Sequence, residues 1–220
     1  MVVEIPNLFT QEEVDDILDK LSEAEFIDGK KTAGWNARSV KNNQQLKKND
    51  PNATALKEKV KTTLNKNLLF QSTVRPKSIH TMLFSRYEQG MSYGKHTDNA
   101  MMAGTWRSDV SFTIFLTDPE TYQGGDLIIE GATNQQSYRL GSGSAIAYPS
   151  STLHQVAPIT QGSRWAIVGW VQSWIRDPSK REILFDLDTA RRSIFNSQGK
   201  TNEFDLVSKS MTNLLRTWME

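Results

Sequence analysis

Apolar residues at spacings of three and four predict helices at the beginning of the chain. The first helix is predicted over residues 11–23 from the stripe Val14, Ile17, Leu18 and Leu21. It begins at a capping box, in which Thr10 accepts from the amide of Glu13 while the Glu13 side chain reaches back. A polar stretch over residues 41–52 predicts a loop. A second helix is predicted near residues 53–68 from Leu56, Val60, Leu64 and Leu68.

From about residue 78 the pattern changes to short β-rich runs, each bounded by Gly, Pro, Asn, Asp or Ser. Eight of these runs are predicted as strands: residues 79–87, 91–98, 109–117, 126–131, 135–140, 144–149, 153–158 and 164–175. Closely spaced strands without intervening helices indicate an antiparallel sandwich or barrel, because a parallel sheet needs helical crossovers.

Helical spacing returns at the end of the chain. Asp177 is a good N-cap before Pro178, which suits the first helical position. Two apolar stripes predict two helices: Ile183, Leu187, Ala190 and Ile194 in the first, and Phe204, Val207, Met211, Leu214 and Trp218 in the second. No repeat or linker divides the chain, so residues 1–220 are predicted to form one domain, mainly β with flanking helices. Its parts are an N-terminal helical and basic flank (1–77), a β core (78–176) and C-terminal helices (177–220).

Composition narrows the class of protein. Hydrophobic residues make up 37% and charged residues 23%, as in an ordinary globular protein. The chain has no cysteine, which excludes disulfides, thiolate metal sites, iron–sulfur clusters and a cysteine nucleophile. Its longest apolar run, residues 165–171, is far shorter than the ~20 residues of a membrane helix. The opening residues lack the pattern of a secretory signal. We therefore expect a soluble, cytoplasmic protein without a membrane partner.

The net charge of +1 conceals an uneven distribution. Residues 28–77 contain 12 Lys and Arg against 3 Asp and Glu. Nucleic-acid binding is one interpretation of this basic segment, and a solvated face is the other. We favour the solvated face, because the segment is poor in aromatic residues and has no recognised nucleic-acid motif. The sequence does not assign the segment a role.

A candidate metal site emerges from two of the three histidines. Side chains at i and i+2 of a strand point to the same face, so His96 and Asp98 are expected to project together. His154, in another predicted strand, is the best remaining candidate for a third ligand. Two histidines and one carboxylate leave the opposite face of a metal open, as in non-haem Fe(II) oxygenases. The His-x-Asp triplet alone is a weak signal, because it arises by chance in many proteins.

Arg164 strengthens this interpretation. It follows His154 by ten residues and stands at the head of the apolar strand RWAIVGWVQSW. An arginine that faces the interior of such a strand needs an anion, since an unpaired buried charge is costly. A dicarboxylate cosubstrate would supply one. Its 2-oxo acid end would chelate iron, and its far carboxylate would pair with Arg164.

Ordered motifs then point to a known family: YEQGMSYGKHTDNAMM, RSDVSFTIFLTDPETYQGGDLIIE, YPSSTLHQV, GSRWAIVGWVQSWIRD and LFDLD. Over roughly residues 80–190 the chain resembles the Fe(II)/2-oxoglutarate-dependent dioxygenases of the PKHD (prolyl/lysyl hydroxylase domain) type. The resemblance implies a double-stranded β-helix, or jelly-roll, core of eight strands. By position, His96, Asp98 and His154 look like the catalytic iron ligands, and Arg164 looks like the residue that binds 2-oxoglutarate.

The same resemblance implies further pocket residues, a cosubstrate and a reaction. Tyr87 occupies the place of a tyrosine in the cosubstrate pocket of related prolyl hydroxylases, and Trp170 matches a pocket tryptophan; both could equally be core aromatics. The implied reaction uses Fe(II), 2-oxoglutarate and O2, with ascorbate as a candidate reductant. It hydroxylates a C–H bond of a peptidyl or small-molecule substrate and releases succinate and CO2. A related demethylase or desaturase stays open, as does a jelly-roll binding module with a non-catalytic metal site.

Overall fold

The computed structural model describes residues 1–35 and 37–220, within which strands outnumber helices. Five α-helices occur in this part of the chain: α1 (Gln11–Ser22), α2 (Pro51–Lys66), α3 (Leu68–Val74), α4 (Pro178–Gln198) and α5 (Asn202–Trp218). The strands are β1 (Val3–Ile5), β2 (Phe26–Asp28), β3 (Lys41–Asn42), β4 (Gln44–Leu46), β5 (Pro76–Tyr87), β6 (Ser92–His96), β7 (Met101–Met102), β8 (Trp106–Arg107), β9 (Val110–Phe115), β10 (Gln123–Gly124), β11 (Leu127–Glu130), β12 (Gln135–Tyr138), β13 (Ala145–Pro149), β14 (His154–Val156), β15 (Ile159–Gln161) and β16 (Arg164–Ser173).

Two antiparallel sheets form the β core. The larger has seven strands in the order β1-β13-β9-β16-β5-β4-β2, and the smaller has five in the order β12-β11-β14-β6-β3. All eight predicted strands are present, with ends that differ from the prediction by at most three residues. The short strands β2, β7, β8, β10 and β15 were not predicted. The mainly β fold class with flanking helices is confirmed.

The large sheet has an apolar layer on each face. On one face, α1, α2 and α3 pack their buried side chains, among them Ile17, Leu56 and Phe70, against sheet residues such as Phe112 and Ile167. On the other face, a second cluster joins residues of the large sheet to residues of the small sheet, for example Phe115 and Ile146 to Leu127 and Ile129. The molecule thus stacks helices, large sheet and small sheet, and the site residues predicted from the sequence line a cavity between the two sheets.

The helices of the N-terminal flank follow local sequence signals. The capping box is confirmed, with the amide of Glu13 donating to Thr10 Oγ1 at 3.2 Å and the amide of Thr10 donating to Glu13 Oε2 at 3.0 Å. Helix α2 ends two residues before the predicted position. There Asn67 takes over as the N-cap of α3 and accepts from the amide of Phe70 at 2.9 Å.

The predicted loop over residues 41–52 is wrong in its first half. Strand β3 pairs with β6 of the small sheet, and β4 pairs with β5 of the large sheet. Lys41, Asn43 and Gln45 are buried in alternation, so the strand periodicity is present but its inward residues are polar. A search for apolar alternation therefore misses it. The flank that was predicted to be helical contributes edge strands to both sheets, and β5 begins at Pro76, before the predicted boundary.

The apolar stripe predicted for α4 is correct only in part, since Leu187 packs against the C-terminal apolar cluster but Ile183 does not. Ile183 is 46% exposed, and the buried positions are instead Arg181, Leu184 and Asp188. Arg181 Nη1 donates to the carbonyl of Ile175 at 2.7 Å, and Asp188 accepts from two arginines of its own helix. Local partners thus let polar side chains occupy the inner face. The stripe predicted for α5 is buried or half-buried throughout. Among the described residues, no helix has the length and apolar character that crossing a membrane requires.

Close packing in the large sheet generates a stability prediction. A Cβ atom at Gly169 of β16 would lie 2.3 Å from Phe112 Cζ and 2.9 Å from Met82 Cγ. Gly169→Ala should therefore lower the free energy of unfolding by about 1–3 kcal/mol, the usual cost of overpacking, measured by chemical denaturation. Gly141→Ala is the matched control, since a Cβ there meets nothing within 4 Å. Equal stability of the two variants would contradict this account.

Candidate active site

Strand register brings the two predicted histidine ligands together. His96 ends β6, His154 begins β14, and the two residues are direct partners in the antiparallel pairing of these strands. Asp98 lies beyond the end of β6, so the strand predicted over residues 91–98 is two residues too long at this end. The candidate ligand atoms of His96, Asp98 and His154 nevertheless all lie within 4.8 Å of one another. These three residues could hold one metal ion.

Backbone hydrogen bonds orient both imidazoles toward the shared centre. His96 Nδ1 lies 2.8 Å from the carbonyl of Gly94, and His154 Nδ1 lies 2.9 Å from the carbonyl of Thr152. A carbonyl only accepts, so each Nδ1 carries the hydrogen and each Nε2 keeps its lone pair for a metal. Burial and the neighbouring His154 lower the pKa of His96 to about 4. His96 is therefore neutral at pH 7, which is the form that binds metals.

Asp98 is held by a residue of the opposite sheet. Ser111 Oγ of β9 donates to Asp98 Oδ2 at 2.6 Å, and a second hydrogen bond of 2.8 Å joins the hydroxyls of Ser111 and Ser150. The carboxylate of Asp98 also lies near a histidine, with 3.7 Å between Asp98 Oδ2 and His154 Nε2. This hydrogen-bonded chain fixes the orientation of Asp98 although the residue lies outside a strand. Sequence reasoning missed Ser111, because nothing in the local pattern marks a serine as the partner of a distant carboxylate.

One cavity joins the six residues that the sequence singled out. It has a volume of about 290 Å³, and its lining includes the three candidate ligands together with Tyr87, Arg164 and Trp170. Arg164 and Tyr87 are direct partners in the pairing of β16 with β5. Trp170, further along β16, is the partner of Ser111 in β9. The large sheet thus supplies the arginine and the aromatic residues, and the small sheet supplies the histidines.

Arg164 is a buried cation with unused hydrogen-bond donors. It is 1% exposed, and its Nε and Nη2 atoms have no hydrogen-bond partner among the described residues. Its guanidinium carbon lies 5.4 Å from the ring centroid of Tyr87 and 5.3 Å from that of Phe115. Aromatic rings stabilise the cation only in part, and a buried charge without a partner is costly. The site is therefore suited to an anion.

The two predicted pocket aromatics also present polar groups. Burial raises the pKa of the Tyr87 phenol, against an opposing effect of Arg164, so the phenol stays protonated. The indole Nε1 of Trp170 is buried and has no hydrogen-bond partner among the described residues. Both side chains therefore line the cavity as neutral groups, in addition to their packing roles.

The cavity also contains a lysine that sequence reasoning assigned to a solvated face. Lys41 of β3 is only 4% exposed and lines the cavity. Its Nζ lies 4.9 Å from the ring centroid of Tyr93, which in turn stacks on His96 with centroids 3.7 Å apart. Burial lowers the pKa of Lys41 to about 8, against opposing effects of Asp98 and Asp28, so most of it is protonated at pH 7. The interpretation of the basic segment as a solvated face is wrong at this residue.

Comparison with known proteins identifies the class. The family model of the 2OG-Fe(II) oxygenase superfamily matches residues 82–172, which include all six predicted site residues. HygX from Streptomyces hygroscopicus, solved with nickel and 2-oxoglutarate, is similar in fold, with a TM-score of 0.57 and 13% identity over 79% of this chain and 84% of that one. A prolyl hydroxylase from Trichoplax adhaerens, in complex with a hypoxia-inducible-factor peptide fragment, has a TM-score of 0.57 and 15% identity over 83% and 86%. The fold and the matched region define a 2OG-Fe(II) oxygenase with a jelly-roll core.

A closer relative gives the family within this class. A PKHD-type hydroxylase of Picosynechococcus is 60% identical over 220 residues, which cover 100% of both chains. The chain belongs to the PKHD-type hydroxylases and is an oxidoreductase. Membership of the superfamily implies Fe(II) and 2-oxoglutarate as its metal and cosubstrate.

The contact between Ser111 and Asp98 can be tested through metal affinity. Ser111→Ala removes the donor that orients Asp98, and loss of such a supporting hydrogen bond typically weakens metal binding about 10–100-fold. A titration with Co(II), followed by absorbance or calorimetry, measures the effect. Ser137→Ala, on the exposed strand β12, should bind Co(II) like the wild type. Unchanged affinity in Ser111→Ala would show that Asp98 is oriented by other contacts.

Proposed function

We propose that the chain is an Fe(II)- and 2-oxoglutarate-dependent dioxygenase that hydroxylates a C–H bond of a peptidyl or small-molecule substrate and releases succinate and CO2. The observation that carries the proposal is the buried guanidinium of Arg164, which lies in the same cavity as His96, Asp98 and His154 and whose Nε and Nη2 have no hydrogen-bond partner among the described residues. A metal-ligand triad by itself suits several functions. A triad that shares a cavity with a buried arginine whose donors are unused among the described residues suits a chelating dicarboxylate.

In this proposal His96, Asp98 and His154 hold Fe(II). Two neutral imidazoles and one carboxylate are the donor set of non-haem Fe(II) oxygenases, and they leave coordination positions open. Asp98 balances only one of the two charges of the ion, so the centre still attracts an anionic chelator. When bound, iron and 2-oxoglutarate together supply the O2-derived oxidant that attacks the C–H bond. The role of the protein is to bind these groups, to orient them and to shield the centre from water.

Arg164 holds the distal carboxylate of 2-oxoglutarate in this proposal. Its Nε and Nη2 have no hydrogen-bond partner among the described residues and can form the bidentate contact that guanidinium groups make with carboxylates. The rings of Tyr87 and Phe115 pack beside the guanidinium and exclude water from it. We assign Tyr87 to the cosubstrate pocket, where its protonated phenol can donate, and Trp170 to the cavity wall.

We further propose a domain organisation, a substrate class, a reductant and a cellular location for the enzyme. Residues 1–220 would act as one dioxygenase domain, which is supported by β3 and β4 of the N-terminal flank joining both sheets. A peptidyl substrate is supported by the similarity to an enzyme solved with a peptide, and a small-molecule substrate is its alternative. Ascorbate would act as an external reductant, and the location would be the cytoplasm.

Replacement of a ligand tests the iron site. Anaerobic addition of Fe(II) and 2-oxoglutarate to the wild type should produce a visible metal-to-ligand charge-transfer band. His154→Ala should lose the band and all turnover, because two remaining ligands hold iron poorly. His80→Ala is the matched control, since His80 stacks on Trp106 and does not line the cavity. A band of normal intensity in His154→Ala would refute the assignment, and its absence from the wild type would favour a binding module.

Replacement of the arginine tests the cosubstrate site. Arg164→Ala should raise the 2-oxoglutarate concentration for half-saturation by more than about 30-fold, because truncating one partner of a buried charge pair costs about 2–5 kcal/mol. Fe(II) binding should change little. Arg164→Lys should recover only part of the affinity, since a point charge cannot reproduce the fork of a guanidinium. Arg176→Ala, exposed beyond the end of β16, serves as the control. An unchanged 2-oxoglutarate requirement in Arg164→Ala would assign the distal carboxylate to another residue.

A further inference from the structure

Lys41 is a second buried cation in the cavity, and the described part of the chain gives it no ion pair. Its ammonium donates one hydrogen bond, to Thr32 Oγ1 at 3.1 Å, and lies over the ring of Tyr93. A lysine ammonium has three N–H donors, so two are free for another partner. Burying such a cation costs free energy that one neutral hydroxyl and one ring recover only in part.

The neighbours that hold Lys41 in place are neutral. The hydroxyl of Thr32 is hydrogen-bonded to the side chain of Gln45, and Gln45 Nε2 donates to Ser85 Oγ at 3.5 Å. Thr32, Gln45 and Ser85 line the same cavity as Lys41. This polar wall positions the ammonium without cancelling its charge, and it therefore leaves a positive point on the cavity surface.

The attraction of Asp98 does not account for this cation once the metal site is filled. Asp98 and Asp28 act on Lys41 from beyond ion-pair distance. A divalent cation held by Asp98 offsets that attraction with repulsion of its own, because a bound ion is the largest local charge. Lys41 therefore needs an anion that arrives together with the reactants.

The cosubstrate is not that anion, because in the proposed function both of its carboxylates already have partners: one chelates the metal and the other pairs with Arg164. Arg164 lies on β16 of the large sheet, whereas Lys41 lies on β3, the edge strand of the small sheet. Lys41 is the partner of Tyr93 in β6, and the Tyr93 ring stacks on His96. One aromatic ring, that of Tyr93, thus separates the ammonium from a candidate metal ligand.

We propose that Lys41 binds a carboxylate of the substrate and so makes the enzyme selective for carbon centres that lie close to an anionic group. The proposal rests on the proposed function, since it assumes that the cavity holds iron and 2-oxoglutarate. A buried point charge rejects the neutral analogue of its ligand strongly, because a group built to be paired is then left alone. Small carboxylic acids and the acidic groups of peptides share this chemistry.

Matched pairs of acids and amides test the proposal without knowledge of the natural substrate. The protein is loaded with Zn(II) and saturating 2-oxoglutarate, so that the Arg164 site is occupied. One panel contains N-acetyl amino acids and their carboxamides; a second contains short peptides with a free or amidated C-terminus. Ligand-observed NMR measures the affinity of each. We expect the wild type to prefer acids at least about tenfold over amides, which corresponds to about 1.4 kcal/mol.

Three variants separate charge from packing. Lys41→Met should lose the preference for acids, and Lys41→Gln should lose it as well while keeping a polar end. Lys41→Arg should retain most of it, because the charge remains. Lys48→Met is the matched control, an exposed lysine of the same basic segment, and it should bind like the wild type. The panel that carries the preference in the wild type shows whether the carboxylate belongs to a small molecule or a peptide.

Two results would overturn the proposal. One is a wild type that shows no preference for acids in either panel, a comparison that needs no variant to fold. The other is a preference that persists in both Lys41→Met and Lys41→Gln. Failure of the proposed function is distinguished separately, because it would abolish the charge-transfer band with Fe(II) and 2-oxoglutarate in the wild type. A normal band without a preference for acids would refute the role of Lys41 alone.

Discussion

Charged side chains held between two sheets are the constraint around which this molecule is organised. Arg164, Lys41 and Asp98 all lie in or beside one cavity, where each uncompensated charge costs free energy. The protein meets this cost in different ways. Asp98 receives a hydrogen bond from Ser111, Lys41 lies over a ring and beside a hydroxyl, and Arg164 lies close to two aromatic rings. None of these contacts neutralises the two cations, so anionic ligands would complete the electrostatic balance.

This arrangement explains why the apolar core is divided. Helices α1 to α3 cover one face of the large sheet with a continuous cluster of buried aliphatic and aromatic residues. The space between the sheets contains a smaller apolar cluster that borders the polar cavity. The helix-covered face therefore provides most of the apolar burial that stabilises the fold. The inner space is then free to hold polar groups whose arrangement serves ligand binding.

Strand register brings the residues of the candidate site together. The pairing of β6 with β14 sets His96 opposite His154, and the pairing of β5 with β16 sets Tyr87 opposite Arg164. A slip of one residue in either pairing would turn these side chains to the other face of the sheet. The site thus depends on antiparallel pairing between segments about 60 to 80 residues apart in the chain, and on the hydrogen bond that joins Ser111 of one sheet to the carboxylate at the edge of the other.

The strands with apolar alternation, the capped helix α1 and the residue types of the candidate metal site could be predicted from the sequence, because each has a local signature. The spacing of His96 and Asp98, and the arginine at the head of an apolar strand, were sufficient to indicate a metal site with an anion beside it. The folded structure was needed to show that residues 41–46 contain strands β3 and β4, that polar residues occupy the inner face of α4, and that Lys41 lines the cavity. In each of these cases polar side chains are buried, and apolar periodicity does not indicate the burial of polar residues.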